Sequence, residues 1–382
     1  VISERASNLY LSASTMPVAQ REAFLSRECG DDQALINEVL SLLDAGGEAD
    51  RYFDGLSGRI SLTALAGDDD ETLPTEAVGP WRALRLLGRG GMGAVYLAER
   101  TDDQYQQQVA LKLLPLGANT DTMRARFLSE RQILARLTHP NIARLLDGGI
   151  TRDGSPWFVM DYVKGVPIDE YCEAHELDLE ARLALLLQVM RAVQYAHGNL
   201  VVHRDLKPAN VLVDDRGQVH LLDFGIAKVL DPQSDENAHT GMALRPVTPA
   251  YASPEMLRGE TVDVTTDVYS IGVLMYQLLT GQLPLKYDAM TLPKMYAHAA
   301  NTAPPPLTRL RPDLDSDLQA IALKALAKTP EGRYVSVEAM ATDLSRYCEG
   351  LPIAAQPPSY WRRFRLFAGR HRLGLSFALF AA

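Results

Sequence analysis

His203-Arg204-Asp205-Leu206-Lys207-Pro208-Ala209-Asn210 crowds an acid, a cation and an amide into one short stretch. Asp205 can accept the proton of an incoming hydroxyl, and Lys207 can neutralise a γ-phosphate. Asn210 adds a hard oxygen ligand of the kind Mg²⁺ prefers. Downstream, Val219–Leu222 reads as a strand and runs into Asp223-Phe224-Gly225. Asp223 offers a second hard oxygen ligand. A lone Asp-Phe-Gly carries no weight, but 13 residues beyond Asn210 it belongs to the same constellation.

Upstream, Val109-Ala110-Leu111-Lys112 ends an apolar strand on a lysine. Such a lysine commonly reaches solvent. One that holds phosphates needs a carboxylate partner, and Glu130, in the helical stretch leading to Leu134, Leu137 and His139-Pro140-Asn141, is the available acid. Gly88-Arg89-Gly90-Gly91-Met92-Gly93-Ala94-Val95 has the G-x-G-x-x-G-x-V form, with glycines that let a backbone approach phosphates closely. By itself the pattern also fits a dinucleotide fingerprint or an ordinary turn. β-type residues on both sides favour a phosphate-covering hairpin, because a dinucleotide site needs a helix afterwards.

The rest of the chain sets bounds. At 382 residues it can hold two or three folded units, and 47% hydrophobic with 23% charged residues is ordinary for a globular protein. A net charge of −10 argues against a general nucleic-acid binder. Cys29, Cys172 and Cys348 are too sparse for a disulfide framework or a metal cluster and fit a reducing compartment. No secretory signal pattern occupies Val1 to Tyr10.

The pattern predicts a helical segment over residues 1–60, then an acidic, turn-rich linker over 61–79 that contains Asp68-Asp69-Asp70-Glu71. Short strands follow at Trp81–Leu87, Ala94–Glu99, Gln107–Leu113, Ala143–Ile150 and Pro156–Tyr162, with a helix between them at Thr122–Leu137. Beyond Leu177 helices dominate: Leu179–His197, Val268–Thr280, Leu314–Ala327 and Val335–Gly350. Strands first and helices later implies an α+β fold segregated into two lobes.

These motifs, in this order, resemble a eukaryotic-like Ser/Thr protein kinase domain, here over 80–348. The resemblance implies the bilobal kinase fold, with a small β-rich N-lobe and a large helical C-lobe, and Mg²⁺ and ATP as cofactors. It makes Asp205 the catalytic base, assisted by Lys207, and pairs Lys112 with Glu130 on the ATP phosphates. Asn210 and Asp223 become the metal ligands. Leu87, Gly88, Gly90, Gly93, Val95 and Ala110 would enclose ATP, with Met160 as gatekeeper and the backbone of Asp161 and Val163 holding adenine. Leu134, His203 and Phe224 match a hydrophobic spine linking the lobes. Thr248-Pro249-Ala250-Tyr251-Ala252-Ser253-Pro254-Glu255 resembles the substrate-facing end of an activation segment. Glu255 would pair with Arg333, and Asp267 would brace the catalytic loop. Two departures, Ser253 for the usual Ala and Val247 for the usual Gly, touch the peptide platform and not the phosphate or metal chemistry. Lys207 points to Ser/Thr and away from tyrosine hydroxyls.

Arg204, ahead of the base, implies an activation segment ordered by phosphate, with Thr240 the expected phosphosite and Thr248 facing substrate. A homodimer would serve trans-autophosphorylation. Toward the C-terminus, 349–372 holds Arg362, Arg363, Arg365, Arg370 and Arg372 interleaved with Trp361, Phe364 and Phe367, and 373–382 is uncharged. This reads as a cytoplasmic juxtamembrane segment entering a membrane-spanning helix, which needs about 20 apolar residues. It resembles bacterial transmembrane kinases whose catalytic domain faces the cytoplasm and acts on protein substrates. A kinase-shaped module without transfer activity and a small-molecule phosphotransferase are the rival readings. The filled catalytic positions argue against the first, and the peptide platform against the second.

Overall fold

The computed structural model describes residues 24–25, 29, 32, 35, 73–74, 77–90, 93–101, 107–114, 128–129, 131–152, 154–224, 249–287, 290 and 292–355. Near the N-terminus Phe24, Leu25, Cys29 and Leu35 are helical, with Leu25, Cys29 and Leu35 buried.

From Trp81 the chain builds a five-stranded sheet of β1 (Trp81–Gly90), β2 (Gly93–Arg100), β3 (Gln108–Leu113), β4 (Leu145–Ile150) and β5 (Pro156–Asp161). Its order is β1-β2-β3-β5-β4 and every pair is antiparallel. Alternation sorts the side chains. Ala98, Val109, Leu111, Trp157 and Val159 face one way and close a buried cluster with Val78 and Trp81. The opposite face carries one row across all five strands, in which Gly88 pairs with Val95, Val95 with Lys112, Lys112 with Phe158, and Phe158 with Gly148. The turn between β1 and β2 requires glycine at its far end: Gly93 has φ 115°, and a Cβ there would lie 2.0 Å from the carbonyl oxygen of Leu113.

A helix crosses the row-bearing side of the chain, helical at 128–129 and 131–134. The sequence predicted it through Leu137; among the described residues it ends at Leu134, where a turn leads into His139-Pro140. Pro140 disfavours helical backbone at His139, so the helix cannot run on past that point. Leu134 and Leu137 nevertheless stay buried and join the core of the helical lobe.

The second lobe contains α1 (Ile168–Ala174), α2 (Leu179–Gly198), α3 (Pro254–Arg258), α4 (Val264–Thr280), α5 (Leu292–Asn301), α6 (Leu307–Leu310), α7 (Ser316–Ala325) and α8 (Val337–Cys348). A small sheet of β6 (Gly165–Pro167), β7 (Val211–Asp214) and β8 (Val219–Leu221) lies between α1 and the loop at 222–224. Helix α4 is buried nearly all round, with Tyr269, Ile271 and Tyr276 inside the core, and it packs on α2, α7 and α8. Each such fully buried apolar side chain contributes about 1.5–3 kcal/mol. Asp263 caps α4, its carboxylate accepting from the Thr265 amide, and this starts the helix one turn ahead of the expected Val268. Ser253, a departure from the resemblance, caps α3 by accepting from the Met256 amide, while Pro254 takes the first helical position. Strands β6 and β7 and helices α1, α3, α5 and α6 were not anticipated; all but α5 are seven residues or shorter, too short to show a period. The architecture is α+β, with a sheet-based lobe and a helical lobe.

Candidate active site

The loop between α2 and β7 holds the acid, cation and amide of the opening motif. Asp205 is buried at 8% exposure. Its carboxylate accepts from the Asn210 side-chain amide at 2.8 Å and lies 3.0 Å from the Lys207 ammonium. The same Asn210 amide also donates to the carbonyl of Asp205, at 2.8 Å. Its NH₂ end is thereby spent on Asp205, which fixes the flip and leaves the oxygen end as the group it can present. A short 3₁₀ turn, Pro208–Asn210, brings the amide back over the acid.

The loop is anchored from beneath. Asp267, fully buried on α4, accepts from the amides of His203 at 2.8 Å and Arg204 at 2.9 Å and from the His197 ring at 2.8 Å. Burial alone would raise the Asp267 carboxyl, but the hydrogen bond and charge of His197, with the His203 contacts, hold it below the ordinary carboxylate range. Arg204 then takes φ 66°, a left-handed conformation that non-glycine residues rarely adopt. His197 was missed in the sequence. Its signal was a histidine in the last turn of the helix feeding the loop.

Asp223 arrives from β8 with φ 50° and meets Lys112 from β3, Nζ to Oδ2 at 2.8 Å, across 111 residues of sequence. This ion pair joins the two lobes. The sequence paired Lys112 with Glu130; Glu130 lies outside the described residues, and among these the partner of Lys112 is Asp223. Phe224 is buried against the His203 ring, centroids 4.7 Å apart, and shares its apolar cluster with Leu134. The His203 ring also bonds the carbonyl of Leu222 at 3.0 Å, tying the 203–210 loop to the 222–224 loop.

On the row-bearing face of the sheet stand Val95, Ala110, Lys112 and Met160, with Leu87 and Gly88 in β1. Gly90 ends β1 opposite Gly93. Met160 and Ala110 pair directly and are each 8% exposed. The Asp161 amide donates to the Arg144 carbonyl at 3.0 Å and its carboxylate accepts from the Arg144 guanidinium. Val163 follows two residues beyond the end of β5.

Below the loop, Arg333 clasps Glu255 with two bonds, 2.6 and 2.8 Å, and reaches the carbonyls of Ala327 and Thr265. Thr266 donates to the same carboxylate at 2.9 Å. Burial pushes Glu255 up, but Arg333 and Ser253 more than offset it and bring the group down to about 2. Thr240 and Thr248 lie outside the described residues.

A family model, Protein kinase domain, matches residues 81–344. The chain belongs to this family. Among its relatives is the serine/threonine-protein kinase pkn3 of Myxococcus xanthus, 37% identical over 285 residues, or 72% of this chain and 51% of that protein. Another is PrkC of Bacillus subtilis, 36% identical over 268 residues, 70% of this chain and 40% of the relative. PknB of Mycobacterium tuberculosis is 34% identical over 286 residues, 74% and 45% of the two chains. The chain thus spans about half or less of the length of these curated relatives. The solved kinase domain of PknI from M. tuberculosis superposes with a TM-score of 0.56 at 29% identity, covering 72% of this chain and 98% of that one. The Lys112–Asp223 pair and the Asp205–Asn210–Lys207 cluster both lie within the matched residues 81–344.

Proposed function

We propose that this chain is a serine/threonine protein kinase that transfers the γ-phosphoryl group of Mg-ATP to protein hydroxyls. The observation that carries the reading is the convergence of Lys112 and Asp223 at 2.8 Å beside a loop that presents Asp205 with Asn210 and Lys207 fixed on it.

The donor set fits the cofactor. Asn210 keeps its amide oxygen and Asp223 its second carboxylate oxygen, both hard ligands. Among the described residues no group of three or more His, Cys, Asp or Glu gathers into a cage. Mg²⁺ typically takes one or two protein ligands and completes its shell with substrate phosphates and water. Bound Mg-ATP supplies the transferable group and charge neutralisation. The chain's own residues supply position: Asp205 orients the incoming hydroxyl and accepts its proton, and Lys207 offsets charge on the phosphate. Lys112 exchanges Asp223 for phosphate oxygens with Glu130 as its carboxylate partner. Leu87, Gly88, Gly90, Gly93, Val95, Ala110 and Met160 enclose the nucleotide, with the Asp161 carbonyl and the Val163 amide toward adenine.

The finer readings belong to the same proposal. Residues 80–348 form the kinase domain, preceded by the helical segment 1–60 and the linker 61–79. Thr240 is the autophosphorylation site that engages Arg204, reached in trans within a homodimer, and Thr248 faces the protein substrate. The basic segment 349–372 and the apolar 373–382 anchor the domain on the cytoplasmic face of a membrane. Among the described residues no helix is long and apolar enough to cross one, and 373–382 lies outside them.

Incubation with labelled ATP and Mg²⁺ tests the activity. Label should enter the chain and an added protein substrate, and vanish in Lys112→Met and Asp205→Ala. Transfer to a sugar or small alcohol and to no protein would replace this reading with a small-molecule phosphotransferase.

A further inference from the structure

Strands β4 and β5 pair Leu145 with Met160 at the end of their ladder, and Arg144 and Asp161 come one step further on. The Asp161 amide donates to the Arg144 carbonyl at 3.0 Å, as a hydrogen-bonded antiparallel pair requires. Such a pair exchanges a second bond, which would run from the Arg144 amide to the Asp161 carbonyl. Here the Arg144 amide donates instead to the Asp161 carboxylate, at 3.2 Å. The side chain of Asp161 stands in for its own carbonyl. The Arg144 guanidinium then closes over the same carboxylate, Nε to Oδ2 at 2.9 Å and a terminal nitrogen to Oδ1 at 3.3 Å.

Arg144 is fixed in its turn. The Ala143 amide donates to the carbonyl of Leu221 at 2.9 Å, and the Leu221 amide donates to the carbonyl of Asn141 at 2.8 Å. The Asn141 side chain donates to the carbonyl of Val219 at 2.7 Å. The approach to β4 is thereby laid along β8, the strand that delivers Asp223 two residues beyond Leu221. Asp161, at the end of β5, and Asp223, beside Lys112, are referred to one strand, the first through Arg144 and the second directly.

We propose that the Asp161 carboxylate and Arg144 form a ladder stop that decides which base the nucleotide site takes. By accepting the Arg144 amide, the carboxylate releases the Asp161 carbonyl from the ladder toward the exocyclic amino group of adenine. The guanidinium holds the carboxylate in that role. Arg144 is a positioning residue, since it acts through Asp161. Its side chain is 58% exposed and that of Asp161 30%, so neither supports the core. The inference rests on the nucleotide reading of the preceding section and adds the residues that separate adenine from a base without the amino group.

The test varies protein and base together. Affinities are measured for the Mg²⁺ complexes of a non-hydrolysable ATP analogue, its counterpart with purine in place of adenine, and tripolyphosphate. The chains compared are the wild type, Asp161→Ala, Asp161→Asn and Arg144→Met. The wild type should prefer adenine over purine by about fivefold, the worth of one net hydrogen bond. In Asp161→Ala the Arg144 amide recaptures the carbonyl, and the preference should vanish. Asp161→Asn keeps an oxygen for the amide, and Arg144→Met keeps the carboxylate. Both lose only the exposed fork, so each should retain a preference of about two- to threefold. Tripolyphosphate should bind every variant as it binds the wild type, whereas a general loosening of the fold would weaken it. A preference that survives intact in Asp161→Ala overturns the ladder stop while nucleotide binding stands. So does a loss of tripolyphosphate binding that matches the loss of the adenine analogue, or a wild type that does not tell adenine from purine. A wild type that binds no nucleotide overturns it together with the kinase reading.

Discussion

Two ion pairs join distant parts of this chain, and they are built to opposite specifications. Lys112–Asp223 has one contact at 2.8 Å, with side chains 12% and 23% exposed. Arg333–Glu255 is two-pronged, its side chains 0% and 4% exposed, and Thr266 and three backbone carbonyls complete the carboxylate and the arginine. A lysine is a compact charge on a flexible stem and can change partners, whereas an arginine fork locked on a carboxylate cannot. On the proposed function, the first pair suits a cation that passes from a carboxylate to phosphates. The second suits a platform that must stay still beneath it.

The comparison can be broken in several ways. The largest effect belongs to chemistry: Asp205→Asn should lower the transfer rate by about 10²–10⁴-fold while leaving the thermal midpoint near that of the wild type. Next comes the buried pair. Arg333→Met leaves Glu255 buried without its partner and should destabilise the fold by about 3–5 kcal/mol in urea titrations. Lys112→Met should cost under about 1 kcal/mol, because its pair is partly exposed, yet abolish transfer.

Acid sharpens the same contrast. Glu255 has a folded value of about 2 against 4.5 for the unstructured group. Its contribution is fully present above 4.5 and is lost as pH falls from 4.5 toward 2. That is about 3 kcal/mol at 1.36 kcal/mol per unit, and the pH dependence should shrink in Arg333→Met. A smaller effect of opposite sign comes from Lys328, whose ammonium lacks a hydrogen-bond partner among the described residues and lies 6.0 Å from the Tyr269 ring. Burial, then the nearby Arg333, lowers it from 10.5 to about 8. The folded state then binds fewer protons than the unfolded one, so this group's penalty is full below pH 8 and fades as pH rises toward 10.5. Solvent screening of this half-buried group discounts the full 1.36 kcal/mol per unit, so Lys328→Met should stabilise the protein by about 2 kcal/mol at pH 7 and by little at pH 10, read from urea midpoints.

What could be read in advance follows from how local the information is. Asp205, Lys207 and Asn210 are neighbours in sequence and remain neighbours in space. The strand that ends on Lys112 was legible as a continuous apolar run, although such a run does not say which side chains share the face of the lysine. Asp147 and Gly148 could not be assigned faces, because a single extra residue in β4 decides the matter and leaves no periodic signature. His197 belongs to the site through Asp267, 70 residues away, and its place in the last turn of the helix feeding the loop marks it without naming that partner. Short elements such as β6 and α3 depend on partners and caps, Ser253 among them, more than on any pattern of their own.

The most direct measurement is a calorimetric titration of the wild-type chain and Lys112→Met with a non-hydrolysable ATP analogue, with and without Mg²⁺. The account predicts saturable, Mg²⁺-dependent binding to one site, weakened at least about tenfold by the substitution, as befits loss of a charge-assisted contact. Binding that ignores both Mg²⁺ and Lys112, or no binding at all, would contradict it.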